Sequence, residues 1–330
     1  MGKKVKDITW YVLSFAMAAA LLYYSFRNVD WHDFISAVAS CRWGYVAVSM
    51  VLGIVVFYLR ALRWRGYLLP IDPTTSRLTC FNAVNIGYLA NIVFSRVGEL
   101  VRCGYIVSNS AREPDGTRKA SFDKVAGTVL GDRIWDMLSM GAVILLSLPL
   151  MGDRLSELFE KVNINMPWLI AGLAGLVGIV VLAAWLLKDK SSAAGKVWGF
   201  LRGIGDGLKS SVKMDSWWRF VVYTVLIQVL YVLTSACIIE AVDGILPGFE
   251  TMGLTDALFL MVVGSLSTLI PVPGGLGAYH SAITLALSAI YGIPVETGIV
   301  WATLSHESQL LVQILCGGIS FIHESVREKE

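Results

Sequence analysis

Charge is scarce in this chain. Asp, Glu, Lys and Arg make up 16% of its 330 residues, against about 25% in ordinary soluble domains. That scarcity excludes a charged, water-covered globular surface. The longest polar stretch, Lys188–Ser216, is too short to fold as a soluble catalytic domain. Gly199, Gly203 and Gly207 recur there between Trp198, Phe200, Leu201, Ile204 and Leu208, a pattern expected of a short helix at a membrane interface. Cysteine is also sparse. Cys41, Cys80, Cys103, Cys237 and Cys316 form no CxxC pair, which argues against a disulfide scaffold or zinc ribbon and for small buried hydrophobes. No GxxxxGK[ST] loop is present to hold ATP, and no HExxH pair to hold zinc. No cofactor is therefore expected. Nucleic acid is not an expected partner either, because the basic residues lie in short loops between apolar runs, where anionic lipid head groups are the nearer partner.

What the chain has instead is long apolar runs. Ile8–Phe26, Trp43–Leu59, Pro167–Leu187 and Phe220–Ile239 carry no charge. Met137–Gly152 continues a helix that starts near Phe122, and a further span is expected near the C-terminus. Each is close to the roughly 20 residues that a crossing needs. Ile8–Phe26 is too long for a signal-peptide core and lacks a small-residue cleavage site, so it reads as a span. The fold class expected is an all-α polytopic integral membrane protein. It should have about six full spans and two re-entrant or broken helical hairpins.

The most informative run is Ala257–Tyr279, which is uncharged but contains Pro271-Val272-Pro273-Gly274-Gly275-Leu276-Gly277. Two prolines and three glycines in seven residues cannot continue a helix. Freed backbone at membrane depth survives only under protein or beside a water-filled cavity. Pro273, Gly274, Gly275 and Gly277, with His280 just beyond, thus mark a candidate site of the kind built from broken helices. Residues 257–295 should form one hairpin. The other falls at 78–109, where basic flanks on both sides require the chain to enter and return. One hairpin in each half, about 1–190 and 217–322, suggests an inverted repeat within a single domain spanning 1–330.

Lys and Arg are concentrated in alternate loops. Gly2–Lys6 holds three, Arg60, Arg63, Arg65 and Arg77 follow the second span, and Lys188–Arg219 holds seven, while Asp243–Asp256 has none. The positive-inside rule then places both termini in the cytoplasm, in a cell inner (plasma) membrane.

Ionisable residues inside membrane segments face interiors or pathways more often than lipid. Arg96, Glu99 and Arg102 are spaced by three and share a helical face. Two guanidinium forks with one carboxylate suit a phosphate-bearing head group, although Glu99 paired with an arginine would also simply satisfy the hairpin. Asp132, Arg133 and Asp136 could balance Arg96 or Arg102, bind a proton or cation, or form a buried structural network. Thr224, Gln228, Tyr231 and Ser235 share one face of a span, and His306, Gln309, Gln313 and Ser320 share another, with Glu307 beside it. Such stripes line pathways or form interhelical hydrogen bonds. His280, His306 and Glu307 offer metal-binding atoms, but no recognised spacing supports a metal.

Three motifs carry a family resemblance. Asn91–Arg102, NIVFSRVGELVR, resembles the Asn–x–x–(small/Pro)–x–Arg–x–Gly–Glu–x–x–Arg motif of the lysylphosphatidylglycerol synthase transmembrane, or flippase-like domain, family. Gly131–Met137, GDRIWDM, and Ile270–Ala282, IPVPGGLGAYHSA, resemble its two later motifs in order and spacing. The resemblance implies a membrane domain that moves lipid between leaflets, here an anionic or zwitterionic lipid that is aminoacylated or glycosylated in some members. It implies membrane lipid as substrate, and a lipid synthase or a second copy of the chain as partner. The sequence ends at Glu330 without a synthase domain, so lipid synthesis is not expected of it. Many relatives carry a glutamate shortly after the Pro-Gly signature where this chain has His280, which leaves the head group open. Competing expectations are an intramembrane lipid-modifying enzyme, which lacks a nucleophile–base pair here, and a scaffold for a cell-envelope synthase.

Overall fold

A computed structural model describes residues 2–94, 97–150 and 217–327, with isolated positions between 179 and 199. The side chains of residues 2–11 are excluded from that description. Among the described residues all regular structure is helical, apart from one isolated bridge between Arg112 and Arg118. The helices are α1 (Gly2–Phe26), α2 (Trp31–Ser40), α3 (Trp43–Leu68), α4 (Arg77–Val93), α5 (Gly98–Ser108), α6 (Phe122–Leu150), α7 (Trp217–Val242), α8 (Leu254–Ser267), α9 (Ala278–Tyr291) and α10 (Val295–Arg327). A short 3₁₀ turn, Pro273–Gly275, lies between α8 and α9. The expected span at Pro167–Leu187 and the interfacial helix at Lys188–Ser216 fall largely outside the described residues.

Among the described residues four helices, α3, α6, α7 and α10, are long and apolar enough to cross a membrane. A fifth crossing is available if α1 and α2, which meet at 86°, act as one bent span. The outward faces support this reading. Val51, Ile54 and Val55 of α3, Val225 and Val229 of α7, and Ile319, Phe321 and Ile322 of α10 are all exposed. Exposed aliphatic side chains in such rows suit lipid rather than water. The chain is a multi-pass membrane protein.

Both expected hairpins are present as helix pairs. In the first, α4 leads through residues 94–97 into α5, and the two pack together. At 11 residues, α5 is about 16 Å long, too short to cross. Asp72, just before α4, accepts the Ala111 N–H just after α5 at 2.8 Å and so closes the base of the hairpin. Near the tip, the Gly98 N–H donates to Asn91 Oδ1 at 2.7 Å. Glycine at 98 is required by space, because a Cβ there would run into the Gly87 carbonyl and the Asn91 side chain.

The second hairpin pairs α8 with α9, each of 14 residues. Its base is also closed by an aspartate, since Tyr291 Oη at the end of α9 donates to Asp256 Oδ1 at 2.8 Å at the start of α8. Gly274, Gly275 and Gly277 all take positive φ, which explains the glycine-rich turn. Gly277 also has no room for a side chain; a Cβ would stand 2.7 Å from Leu21 Cβ of α1. The Pro-Gly turn packs on α4, with Gly274 beside the Ile92 carbonyl. The turns of the two hairpins thus approach each other within the bundle.

Two apolar clusters hold these pieces. One gathers Val46, Ile238, Phe249, Leu260, Leu287 and Trp301 around the second hairpin. The other gathers Ala61, Trp64, Leu68, Val84, Cys103 and Val125 around the first. All five cysteines are free, and all but Cys237 are buried.

Candidate functional site

The charged site is assembled from α3, α5 and α6. Its sequence signals were only half recognised. The second span was expected to end at Leu59, with Arg60 and Arg63 in a cytoplasmic loop. Instead α3 runs on to Leu68, and both arginines are buried on it. The correction has a physical cause: their charges are matched within the fold, so they do not need to leave the helix for water. Spacing by three places Arg60 and Arg63 on one face, opposite Asp132 and Asp136, one turn apart on α6.

Arg63 is the hub. Its Nε and one terminal nitrogen donate to Asp132 Oδ1 at 3.1 and 2.7 Å, and the same nitrogen reaches Asp136 Oδ1 at 2.5 Å. Arg60 donates to Asp136 Oδ2 at 2.5 Å and to Tyr231 Oη at 3.1 Å. From α5, Arg102 approaches Asp132 Oδ2 at 3.6 Å. Arg133 turns the other way, donating to Glu99 Oε1 at 2.7 Å, with a longer contact to Asp136 at 3.4 Å. Arg96 lies outside the described residues.

Four arginines therefore face three carboxylates, and the described network carries one positive charge in excess. It is graded in depth. Arg63, Asp132 and Arg102 side chains are at most 3% exposed, whereas Glu99, Arg133 and Asp136 are 21–34% exposed. One side of the network is thus open. Aromatic faces line the buried part: Arg102 lies over Trp64 at 4.5 Å, and Arg63 over Phe220 at 5.6 Å. Arg102 Nε and one of its terminal nitrogens are buried without a hydrogen-bond partner among the described residues, as is Arg63 Nη1. A buried guanidinium short of acceptors is costly unless another acceptor arrives.

Arg60 lies about 26 Å along α3 from Trp43, toward the C-terminal end of that helix.

The second site lies at the Pro-Gly turn. Gly277 leads into α9, which places His280 one turn in, almost wholly buried. His280 Nε2 is 3.3 Å from Glu307 Oε1 of α10, and His306 Nδ1 is 3.2 Å from the same oxygen. His306 Nε2 faces the Gly274 carbonyl at 3.0 Å. A carboxylate therefore does stand beside His280, supplied by a different helix. Pro273 is buried and, with Gly275 and Gly277, shapes the turn rather than offering polar atoms.

The polar stripes form interhelical hydrogen bonds. Gln309 donates to the Ser49 carbonyl at 3.1 Å and packs against Gly53 of α3. Gln228 donates to Ser139 Oγ of α6 at 2.9 Å, whereas Thr224 bonds back to the Phe220 carbonyl within α7. Of this stripe, only Tyr231 touches the arginine network.

Paired hairpins set among apolar spans, with an ion network buried at one of them, define a polytopic membrane domain with an internal polar site. The family described as Lysylphosphatidylglycerol synthase TM region matches residues 11–317, and the chain belongs to that family. No curated protein matches the chain.

Proposed function

We propose that this protein moves a lipid with a phosphate-bearing head group between the leaflets of its membrane, and that it is not an enzyme. The observation that carries the reading is Arg102, a buried guanidinium with unmet donors in a network that is one positive charge in excess. A lipid phosphate would supply the missing acceptors in the bidentate geometry that arginine favours. Glu99 and Arg133, on the open side, would admit the head group, while Arg60, Arg63, Asp132 and Asp136 hold the frame. The substrate is an anionic or zwitterionic lipid, with aminoacyl or glycosyl head groups within its range. The two hairpins, one in each half, would move relative to each other as access alternates. Movement would be passive or driven by a gradient, since no ATP-binding loop is recognisable in the sequence.

The test is purified protein in vesicles carrying head-group-labelled lipids, with impermeant quenching of the outer leaflet. Protein-dependent exposure of inner-leaflet phospholipid is expected, with neutral diacylglycerol unaffected by the protein. Equal rates with and without protein across the head-group panel would overturn the reading. The orientation rests on the Lys/Arg distribution: both termini would be cytoplasmic and Asp243–Asp256 external. Cysteine placed in that loop should react with impermeant maleimide in intact cells.

A further inference from the structure

The cluster at the Pro-Gly turn differs in kind from the arginine network, and its hydrogen-bond accounting does not close. A backbone carbonyl can only accept, so the 3.0 Å contact of His306 Nε2 with the Gly274 oxygen assigns the ring hydrogen to Nε2. His306 Nδ1 then presents a lone pair to Glu307 Oε1, 3.2 Å away. An ionised carboxylate also only accepts. Either a second ring hydrogen, as in an imidazolium, or a metal ion fills the space between them. His280 Nε2 points to the same oxygen from α9 at 3.3 Å. Its Nδ1 is buried without a partner, so no other contact among the described residues fixes that ring's tautomer.

We propose that His280, His306 and Glu307 bind one divalent transition-metal ion of the zinc class, which clasps α9 and the Pro-Gly turn to α10. The donor atoms of all three lie within 4.8 Å of one another. Ligands about 2.0–2.2 Å from a tetrahedral zinc stand roughly 3.3–3.6 Å apart, close to the two spacings to Glu307. Two imidazoles with a carboxylate suit zinc, whereas magnesium and calcium prefer oxygen ligands throughout. The Gly274 carbonyl plays the part usual for a partner behind a metal-bound histidine, holding the ring and fixing its tautomer. Packing adds to this. The His306 ring is 5.1 Å from Tyr279, and the His280 ring 5.6 Å from Phe26. Glu307, 38% exposed, leaves one side open for the ion to enter and for a fourth ligand. In the sequence these three residues offer metal-binding atoms without a recognised spacing, because the ligands come from two helices.

The test uses the full chain in detergent, stripped with a chelator and titrated with Zn²⁺ by calorimetry, with Mg²⁺ as the comparison ion. One Zn²⁺ per chain is expected, with no saturable Mg²⁺ binding. His280→Gln and Glu307→Gln should each weaken Zn²⁺ binding by about 100-fold or more, since even loss of a supporting partner costs about 10–100-fold. His32→Gln, a change at an exposed ring outside the cluster, should bind as the parent does. As a second readout, Zn²⁺ should raise the unfolding temperature of the parent but not of Glu307→Gln. Absence of saturable Zn²⁺ binding would overturn the proposal. So would undiminished binding by a His280→Gln/Glu307→Gln double variant.

Discussion

The two hairpins share a plan and differ in contents. Each consists of two helices that turn back inside the bundle, and each is closed at its base by an aspartate, Asp72 in one and Asp256 in the other. The first is packed through glycine-to-backbone contact at Gly87 and Gly98 and brings Glu99 and Arg102 to an ion network. The second is packed through aliphatic side chains and through Gly264 against the Tyr279 ring, and it carries a histidine–glutamate cluster at its turn in place of an arginine network. The difference teaches that the shape of such a hairpin is set by small residues and base contacts, while its chemistry is set by what the neighbouring spans contribute. Arg60 and Arg63 come from α3, and Glu307 from α10; neither hairpin carries its site alone.

The sharpest way to break this comparison is to remove the hub of the first site. Arg63→Met leaves Asp132 without its two shortest bonds and Asp136 without one of its partners. Loss of one partner from a buried ion pair costs about 3–5 kcal/mol. A large fall in unfolding temperature in detergent is expected. The corresponding change at the second hairpin, Tyr291→Phe, removes one neutral donor from Asp256 and should cost about 1–3 kcal/mol.

Glycine substitutions probe shape. Gly98→Ala forces a Cβ into the Gly87 carbonyl and should destabilise by about 1–3 kcal/mol. Gly104→Ala, on the same helix with open space around it, should be neutral or stabilising by up to about 1 kcal/mol. Thermal unfolding of the pair compares them directly. Equal effects would mean that close packing does not hold the first hairpin.

The smallest effect concerns the base of the first hairpin. Burial pushes the Asp72 carboxyl up, but bonds from Thr74, Ala111 and Ser110 outweigh it and hold the group below its ordinary value. A carboxylate whose folded value is lowered stabilises fully above its unfolded value, about 3.9. That contribution is lost as pH falls through the folded value. Asp72→Asn should therefore cost about 1 kcal/mol near neutral pH, and the gap from the parent should narrow below about pH 4. A pH series of unfolding midpoints checks the sign.

Much of the architecture was legible. Uncharged runs marked α3, α6 and α7, and the Pro-Gly run marked the break between α8 and α9, because backbone chemistry alone forbids a helix there. Basic flanks predicted the first hairpin. The arginine site was less legible. Glu99, Arg102, Asp132, Arg133 and Asp136 stood out as charges among apolar residues. Arg60 and Arg63 did not, because a charge at the end of an apolar run reads as the start of a loop. Their spacing of three, matched to the spacing of four between Asp132 and Asp136, was the available signal. Pairing between helices distant in sequence cannot be read from one chain's periodicity, which is also why no spacing supported the grouping of His280 with His306 and Glu307.

In the proposed function Arg102 receives a lipid phosphate. The most direct measurement is the rate of phospholipid movement in reconstituted vesicles for Arg102→Gln and Arg102→Lys, each matched to the parent in unfolding temperature. A loss of about tenfold or more is expected for Gln, as when a charged hydrogen bond is removed, and partial rescue for Lys, which keeps the charge but loses the planar fork. Parental rates from a stably folded Arg102→Gln protein would contradict it.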